Sequence, residues 1–430
     1  MFRKSKALAI AFLMVVVTLF PTPAHATSCT PQRQLASQNI RQLHVEVINA
    51  TNGQVLFAQN ESAAERSASV MKVVTAAVAL DVLGPDYRVT TNVYHDPSNP
   101  GDIYLVGAGD ITLSRMPGNI TSFYPKAPKL DTLTRQIANW SSASGTAVKN
   151  VYVDSSLFGG DNEWHPTWSK RGLSSGYMAP VSALQIDAGR FTAGNGSTRF
   201  IAKRTATPVN QAGRLFITSL NKRNLAPGIV AQQQVLPEGA EVIASVQSRP
   251  MREWIIQSLR VSDNSLSEAL GRLSSLKAGF DGTMASLTPL YKQVLGARGI
   301  DVSNIEIIDA SGLSRNNKIP VTFVNDILEL VHEGVGDYQV IEAGMPVSGQ
   351  AGSLRSRFAA GTLREARGKV VAKTGYITTG YSLAGFMTAR DGTKLIFSVY
   401  NLTNRARFGE RQAMDNLVYR FYQCGARLSS

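Results

Sequence analysis

Ser69 and Lys72 stand three residues apart at the head of a run, Val70 to Leu83, that is apolar except for Lys72, Thr75 and Asp81. That pattern predicts a helix buried on all sides. The spacing puts Ser69 and Lys72 on one face of it. A serine hydroxyl is a poor nucleophile at neutral pH and needs a base. Burial lowers the pKa of a lysine, and a second cation lowers it further; Lys373 is a candidate for that cation. An uncharged Lys72 is then able to take the Ser69 proton. A lysine inside an otherwise apolar helix is expensive without such a task. The same spacing at Ser219–Lys222 and Ser274–Lys277 lacks that setting: the first lies among polar residues, the second on an amphipathic helix.

Two further strings follow in chain order. Ser262-Asp263-Asn264 lies between two helical patterns, where a loop is expected. A hydroxyl there can pass a proton to a leaving amine, and an Asn side chain can both donate to and accept from a substrate amide. The plain alternative is a helix N-cap, for which Ser, Asp and Asn are all favoured. S-x-N also occurs at Ser37–Asn39, Ser219–Asn221 and Ser314–Asn316. Lys373-Thr374-Gly375 occurs once, and reads as the end of one strand, Lys369–Ala372, and the start of another. A lysine beside a hydroxyl suits a carboxylate. Gly375 lets a substrate chain lie close along the strand edge. The backbone N–H groups of Ser69 and Tyr376 are the expected oxyanion hole. A strand-end Thr-Gly turn without a ligand is the alternative.

Other chemistries find little support. Gly172-Leu173-Ser174-Ser175-Gly176 matches G-x-S-x-G, but that motif needs a strand before it and a helix after it. Trp168-Ser169-Lys170-Arg171 and Tyr177-Met178-Ala179-Pro180 promise neither. Of the four histidines beyond the leader (His44, His95, His165, His332), none has a suggestive setting. No H-E-x-x-H, C-x-x-C or P-loop string is present, so no metal and no other cofactor is expected.

The elements that must position these strings fall into three stretches. Leu43–Asn49 alternates as a half-buried strand, Asn52-Gly53 marks a hairpin, and Gln54–Ala58 returns. The apolar helix ends at Gly84-Pro85. From Tyr87 to about Val246, short β-like runs (Arg88–Tyr94, Ile103–Val106, Val148–Val153, Arg199–Lys203, Glu241–Val246) alternate with Gly, Pro, Ser and Asn clusters, with one clear helix at Asp131–Trp140. After Pro250 helices return at Met251–Leu259, Ser265–Lys277, Thr288–Arg298 and Thr322–Glu333. Strands follow at Val370–Ala372, Tyr381–Ala389 and Lys394–Val399, then a helix at Glu410–Tyr422.

The N-terminus reads as a secretory signal, residues 1–26: Arg3, Lys4 and Lys6, then an uncharged run from Ala7 to Phe20, then Ala24-His25-Ala26 as the cleavage site. A membrane span needs about 20 apolar residues, so an uncleaved anchor is the lesser alternative and no transmembrane segment is expected after cleavage. The hydrophobic content of 43% is ample for a packed core. The whole chain carries +13; without the three basic leader residues it carries +10. An exported basic chain suits acidic envelope polymers. The Lys and Arg are dispersed and the compartment is wrong, so nucleic acid is not expected. The two cysteines, Cys29 and Cys424, sit near opposite ends of the chain. Export permits a disulfide between them, and domain termini often lie close together; two free thiols are the alternative.

In order and context, Ser69–Lys72, Ser262–Asn264 and Lys373–Gly375 resemble the motif set of the low-molecular-mass class C penicillin-binding proteins, the D-alanyl-D-alanine carboxypeptidases/endopeptidases. Further matches run along the chain at Leu83–Arg88, Leu105–Leu113, Asp309–Arg315, Met345–Gly349 and Leu383–Phe386. Those proteins carry extra domains between the first two motifs, and 193 residues separate Ser69 from Ser262 here. That gap is far too long for a class A β-lactamase. The resemblance implies an α+β penicillin-binding/serine acyl-transferase fold: an antiparallel five-stranded sheet flanked by helices, built from 27–86 and 247–430. Residues 87–246 would form an inserted β-rich domain or domains. It implies Ser69, Lys72, Ser262, Asn264 and Lys373 as catalytic residues, with Thr374, Gly375, Tyr376, Arg315 and Thr378 binding substrate. The implied activity is hydrolysis of D-Ala-D-Ala bonds in peptidoglycan stem peptides, and of D-Ala cross-bridges, through an acyl-Ser69 intermediate. β-Lactams would acylate the same serine. A β-lactamase and a binding module that acylates without turnover are the rival readings. The chain departs from the family at three places. Trp168 is followed by Ser169, Lys170, Arg171 and Gly172 where an acidic residue is usual. Tyr376 replaces a smaller residue, and Ala351 replaces an Asp.

Overall fold

The computed structural model describes residues 29–159, 163–192 and 202–429. The secretory signal expected at residues 1–26 lies outside them, as does most of the strand expected at Arg199–Lys203. In chain order, β1 (Gln42–Asn49) and β2 (Val55–Gln59) form the first hairpin, followed by helix α1 (Met71–Val82). Next come β3 (Thr90–His95), β4 (Asp102–Val106), α2 (Leu130–Ser144), β5 (Asn150–Asp154), α3 (Pro208–Asn221), β6 (Gln232–Gln233) and β7 (Glu241–Gln247). The last third holds α4 (Met251–Val261), α5 (Asn264–Lys277), α6 (Leu287–Gly296), α7 (Val321–His332), β8 (Val370–Ile377), β9 (Gly380–Thr388), β10 (Lys394–Leu402) and α8 (Phe408–Cys424).

Two five-stranded sheets result. The first has the order β2-β1-β10-β9-β8, antiparallel throughout. Its strands come from both ends of the chain, with Val45 opposite Val399 at the junction. The second has the order β6-β5-β4-β3-β7 and is mixed. Its parallel pairs, β4 with β5 and β5 with β6, are joined by α2 and α3, because parallel neighbours need a long crossover. Helix α3 has no counterpart in the sequence reading. Its apolar positions Val209, Ala212, Phe216 and Leu220 keep helical spacing and are buried, but Gly213, Thr218 and Ser219 between them mask the period.

Helix α1 is buried from Met71 to Leu80 in one apolar core with α4, α5, α6 and α7. A second core joins the opposite face of the first sheet to α8. The sheet is therefore covered on both faces, and this corrects the half-buried reading of β1: His44 and Glu46, on its polar face, are buried too. The cover is α7, from which Asn325 Nδ2 donates to Glu46 Oε2 at 2.8 Å. Burial raises the Glu46 pKa.

Cys29 and Cys424 are joined by a disulfide, with Cα atoms 5.4 Å apart and a sequence separation of 395. Cys29 is also tied by its backbone, donating to Arg427 O at 2.9 Å. A crosslink that closes so long a loop removes much unfolded-chain entropy, about 4 kcal/mol or more in the chain-entropy model. The Cys29→Ser/Cys424→Ser double variant is expected to unfold at lower denaturant by about that amount, with little change in activity at 25 °C. Equal denaturation midpoints for oxidised and reduced protein would contradict this.

Candidate active site

Ser69 lies on a single 3-10 turn, Ala68–Val70, that feeds directly into α1. Ala68 takes a left-handed conformation with φ +48°, which disfavours any residue with a Cβ. The turn is fixed by close approach from two sides. A Cβ on Gly312 would stand 1.9 Å from Ala68 O, and one on Gly375 would stand 2.0 Å from Ser382 Oγ and 3.0 Å from Ser67 O. Ser382 Oγ on β9 donates to Ser67 O at 2.6 Å. The tight packing of β8 against this turn is thus one use of Gly375, alongside the room for a substrate expected from the sequence.

Lys72 Nζ lies 3.1 Å from Ser69 Oγ and 2.7 Å from Asn264 Oδ1, and also bonds Ser311 O. Asn264 Oδ1 and Ser311 O can only accept. A neutral amine has two N–H groups and one lone pair. It satisfies both acceptors and keeps the lone pair for the Ser69 hydroxyl. Lys72 is buried, and desolvation lowers its pKa to about 8, against the pull of Asp309, Glu268 and Asp263. Burial does the lowering, as a lysine inside an apolar helix implies. The two buried lysines also repel each other, which disfavours the charge on Lys373. That group is also fully buried and is pushed well below the ordinary lysine value by desolvation and by the Lys72 charge.

The Ser262-Asp263-Asn264 string divides between its two sequence readings. Ser262 is the C-cap of α4, left-handed with φ +58°. Asp263 is the N-cap of α5, its side chain accepting from Leu266 N. Asn264 opens α5. Its Oδ1 is engaged by Lys72 and its Nδ2 donates to Tyr177 O at 3.2 Å. Much of its amide is therefore used within the site. Ser262 Oγ accepts from Lys373 Nζ at 2.9 Å, and Lys373 Nζ also donates to Thr374 O at 2.7 Å.

Lys373-Thr374-Gly375 lies in the middle of one strand, β8, and not at a boundary between two; Lys373 pairs with Ala384 and Gly375 with Ser382 on β9. Thr374 Oγ1 shares a 2.5 Å hydrogen bond with Ser353 Oγ. Ser353 follows Ala351 in the glycine-containing loop. Tyr376 is 53% exposed, its ring 4.8 Å from that of Tyr381. Thr378 is exposed at the β8–β9 turn, where its carbonyl accepts from Ala406 N. Arg315 is exposed on the loop after Ser314. That loop is bound to the Trp168 segment: Trp168 Nε1 donates to Asp309 Oδ2 at 2.7 Å, and Thr167 Oγ1 meets Ser314 Oγ at 2.8 Å.

Asp309 is a hub that sequence reasoning missed. Fully buried, it accepts from Gly312 N and Ser314 N at 2.6 Å each and from Asn317 Nδ2 at 2.9 Å, besides Trp168. It shapes the loop that delivers Ser311 O to Lys72. The acidic start of the Asp309–Arg315 string was its signal. Glu268 was missed as well. It lies one turn beyond Asn264 on α5, and neither oxygen completes a hydrogen bond among the described residues. Burial and the nearby Asp309 raise its pKa to about 8; Ser311 approaches it and tempers the rise. The decoys lie elsewhere. Ser219 bonds Thr134 in α3's packing, Ser274 is buried in α5, and Ser174 Oγ donates to Arg171 O in a four-residue helix.

Sequence comparison agrees with this geometry. The model of the D-Ala-D-Ala carboxypeptidase 3 (S13) family matches residues 32–199 and 192–421. A carboxypeptidase of Mycobacterium tuberculosis is 31% identical over 395 residues, covering 91% of this chain and 82% of that protein. The carboxypeptidase DacB of Mycolicibacterium smegmatis is 30% identical over 418 residues, covering 94% and 86%. In fold, the chain is similar to penicillin binding protein 4 (dacB) from Haemophilus influenzae, with a TM-score of 0.73 at 20% identity, covering 91% of this chain and 99% of that one. With its acylation motifs gathered around one lysine-bound serine, the chain belongs to the D-Ala-D-Ala carboxypeptidase 3 (S13) family and is a serine-type D-Ala-D-Ala carboxypeptidase.

Proposed function

We propose that Ser69 is the nucleophile, Lys72 its base, and Lys373 with Thr374 the site of the substrate's terminal carboxylate. The observation that carries this reading is the set of partners around Lys72 Nζ, two obligate acceptors and the Ser69 hydroxyl. Ser69 Oγ attacks the penultimate D-Ala carbonyl and its proton passes to Lys72. The backbone N–H groups of Ser69 and Tyr376 hold the oxyanion. The C–N bond then breaks, and the departing D-Ala amine takes its proton through the Ser262 hydroxyl. Water hydrolyses the acyl-enzyme by the reverse relay. An arriving carboxylate stabilises the charged form of Lys373, whose burial disfavours that charge in the free enzyme. Arg315 and Thr378 line the approach of the stem-peptide side chain. The Trp168 segment, with Lys170 and Arg171 and no acid, offers a free side-chain amine no partner.

The reading places the enzyme outside the cytoplasmic membrane, acting on peptidoglycan and open to β-lactams. Among the described residues no helix is long and apolar enough to cross a membrane. We infer that residues 27–86 and 247–430 form the catalytic unit and 87–246 the insertion. The test is mass spectrometry of the products that the protein without its leader makes from an acyl-D-Ala-D-Ala peptide and from a D-Ala cross-linked dimer. Release of D-Ala is expected, with dimer cleavage as the endopeptidase activity. Rapid hydrolysis of penicillin with no peptide product would favour a β-lactamase. A stable adduct with no product would favour a binding module.

A further inference from the structure

Asp263 bonds neither lysine of the site, yet both oxygens of its buried carboxylate are engaged. Oδ1 caps α5 by accepting from Leu266 N at 3.1 Å. Oδ2 accepts from Tyr124 OH at 3.0 Å and meets Arg190 Nη2 at 3.4 Å. Tyr124 and Arg190 both come from the segment between β4 and α3, the part of the chain that builds the second sheet. Arg190 is wholly buried, its guanidinium 3.8 Å from the centre of the Phe123 ring, and it donates to Tyr124 OH at 2.9 Å. Burial works to raise the Asp263 pKa, but the Arg190 and Arg204 charges outweigh it and keep the carboxylate ionised.

The residue held beside this network is Ser262. Its left-handed backbone, φ +58°, is unfavourable for a residue with a side chain. Such conformations persist only where their surroundings over-determine them. Here the surroundings include the end of α4, where Asp263 N donates to Ser258 O at 3.1 Å, and the start of α5, where Ser267 Oγ donates to Asp263 O at 3.1 Å. From this conformation Ser262 Oγ meets Lys373 Nζ at 2.9 Å.

We propose that Asp263 is a positioning residue: the second-sheet unit grips its carboxylate through Tyr124 and Arg190 and so holds Ser262 in the conformation that presents its hydroxyl to Lys373. The inference rests on the reading of Ser262 as the proton carrier. It makes the second-sheet unit part of the catalytic apparatus and not only a surface for the substrate.

Two variants test it. Tyr124→Phe removes one hydroxyl and keeps the ring against Arg190. Asp263→Asn keeps an N-cap acceptor and loses the charge. Acylation by penicillin is followed by rapid quench, giving a saturating rate constant per titratable site and a half-saturating concentration; the melting temperature is recorded in parallel. The rate per site is expected to fall about tenfold in Tyr124→Phe and up to about a hundredfold in Asp263→Asn, the range a small misplacement produces. The half-saturating concentration stays within about twofold, as for an interaction that acts on the transition state. Thr134→Val, which removes a buried bond to Ser219 in the same unit, lowers the melting temperature and leaves the rate per site unchanged. A merely structural role for Asp263 predicts that same pattern for the two test variants, so wild-type rates per site in both overturn the proposal. Should Asp263→Asn not fold, Tyr124→Phe decides alone. Labelling that survives in Ser69→Ala would instead unseat the functional reading, since the rates would then report on another serine.

Discussion

Lys72→Arg is expected to slow acylation by about a thousandfold, in the range that general acid–base groups contribute. Arginine keeps the charge and the hydrogen-bonding reach but stays protonated in proteins. In the site it would satisfy Asn264 Oδ1 and Ser311 O and leave no lone pair for the Ser69 hydroxyl. The pH profile separates this from simple misfit. Lys72 has its pKa lowered to about 8, and the reactive form is the neutral one. The wild-type acylation rate should therefore be flat above about pH 8 and fall roughly tenfold per unit below it as the amine takes up its proton. In Lys72→Arg the residual rate should lose that limb. Lys373→Arg, by contrast, should raise the substrate concentration needed for half-saturation more than it slows the chemical step. Stopped-flow acylation from pH 5 to 10 on the three proteins, with ranges set by these values, checks both statements. A near-normal rate in Lys72→Arg with an unchanged profile would move the base elsewhere, with Ser262 next in line.

Gly312→Ala is expected to cost about a hundredfold in acylation as well as stability. Gly312 has φ +82°, and its added methyl would stand 1.9 Å from the carbonyl oxygen of Ala68, the residue before the nucleophile. Backbone cannot give way as a flexible side chain would, so the Ser69 turn or the Asp309 loop must move. Both carry partners of Lys72, and a displacement of about 1 Å is enough for a loss of this size. Gly53→Ala is the control. It has a similar φ, +70°, in the β1–β2 turn, with nothing within 4 Å of the added methyl. It should lose about 1 kcal/mol of stability and no activity. Equal acylation rates per titratable site in both variants would show that the Gly312 contact does not set the nucleophile.

The elements around the motifs were legible where a single period dominates. The apolar stretch after Ser69 is α1, and the Asn52-Gly53 hairpin joins β1 to β2. Lys72 was legible because a lysine among Val and Ala contradicts its surroundings. What escaped were partners set by topology. Asp309 meets Trp168 from 141 residues away, and Asp263 meets Tyr124 from 139 residues away. No local pattern in sequence encodes such a pair. The strand through Lys373 was read as two because Thr-Gly resembles a turn. The closeness of Ser382 and Ser67, which favours a glycine inside β8, is set by tertiary packing and has no local signature.

The central claim is that Ser69 carries the acyl group. Its most direct test is the site of the adduct: the protein lacking residues 1–26 is treated with penicillin, digested, and the modified peptide sequenced by mass spectrometry. A single adduct is expected, on Ser69, absent in Ser69→Ala and retained in Ser219→Ala and Ser274→Ala. An adduct on any other residue, or labelling that persists in Ser69→Ala, would contradict it.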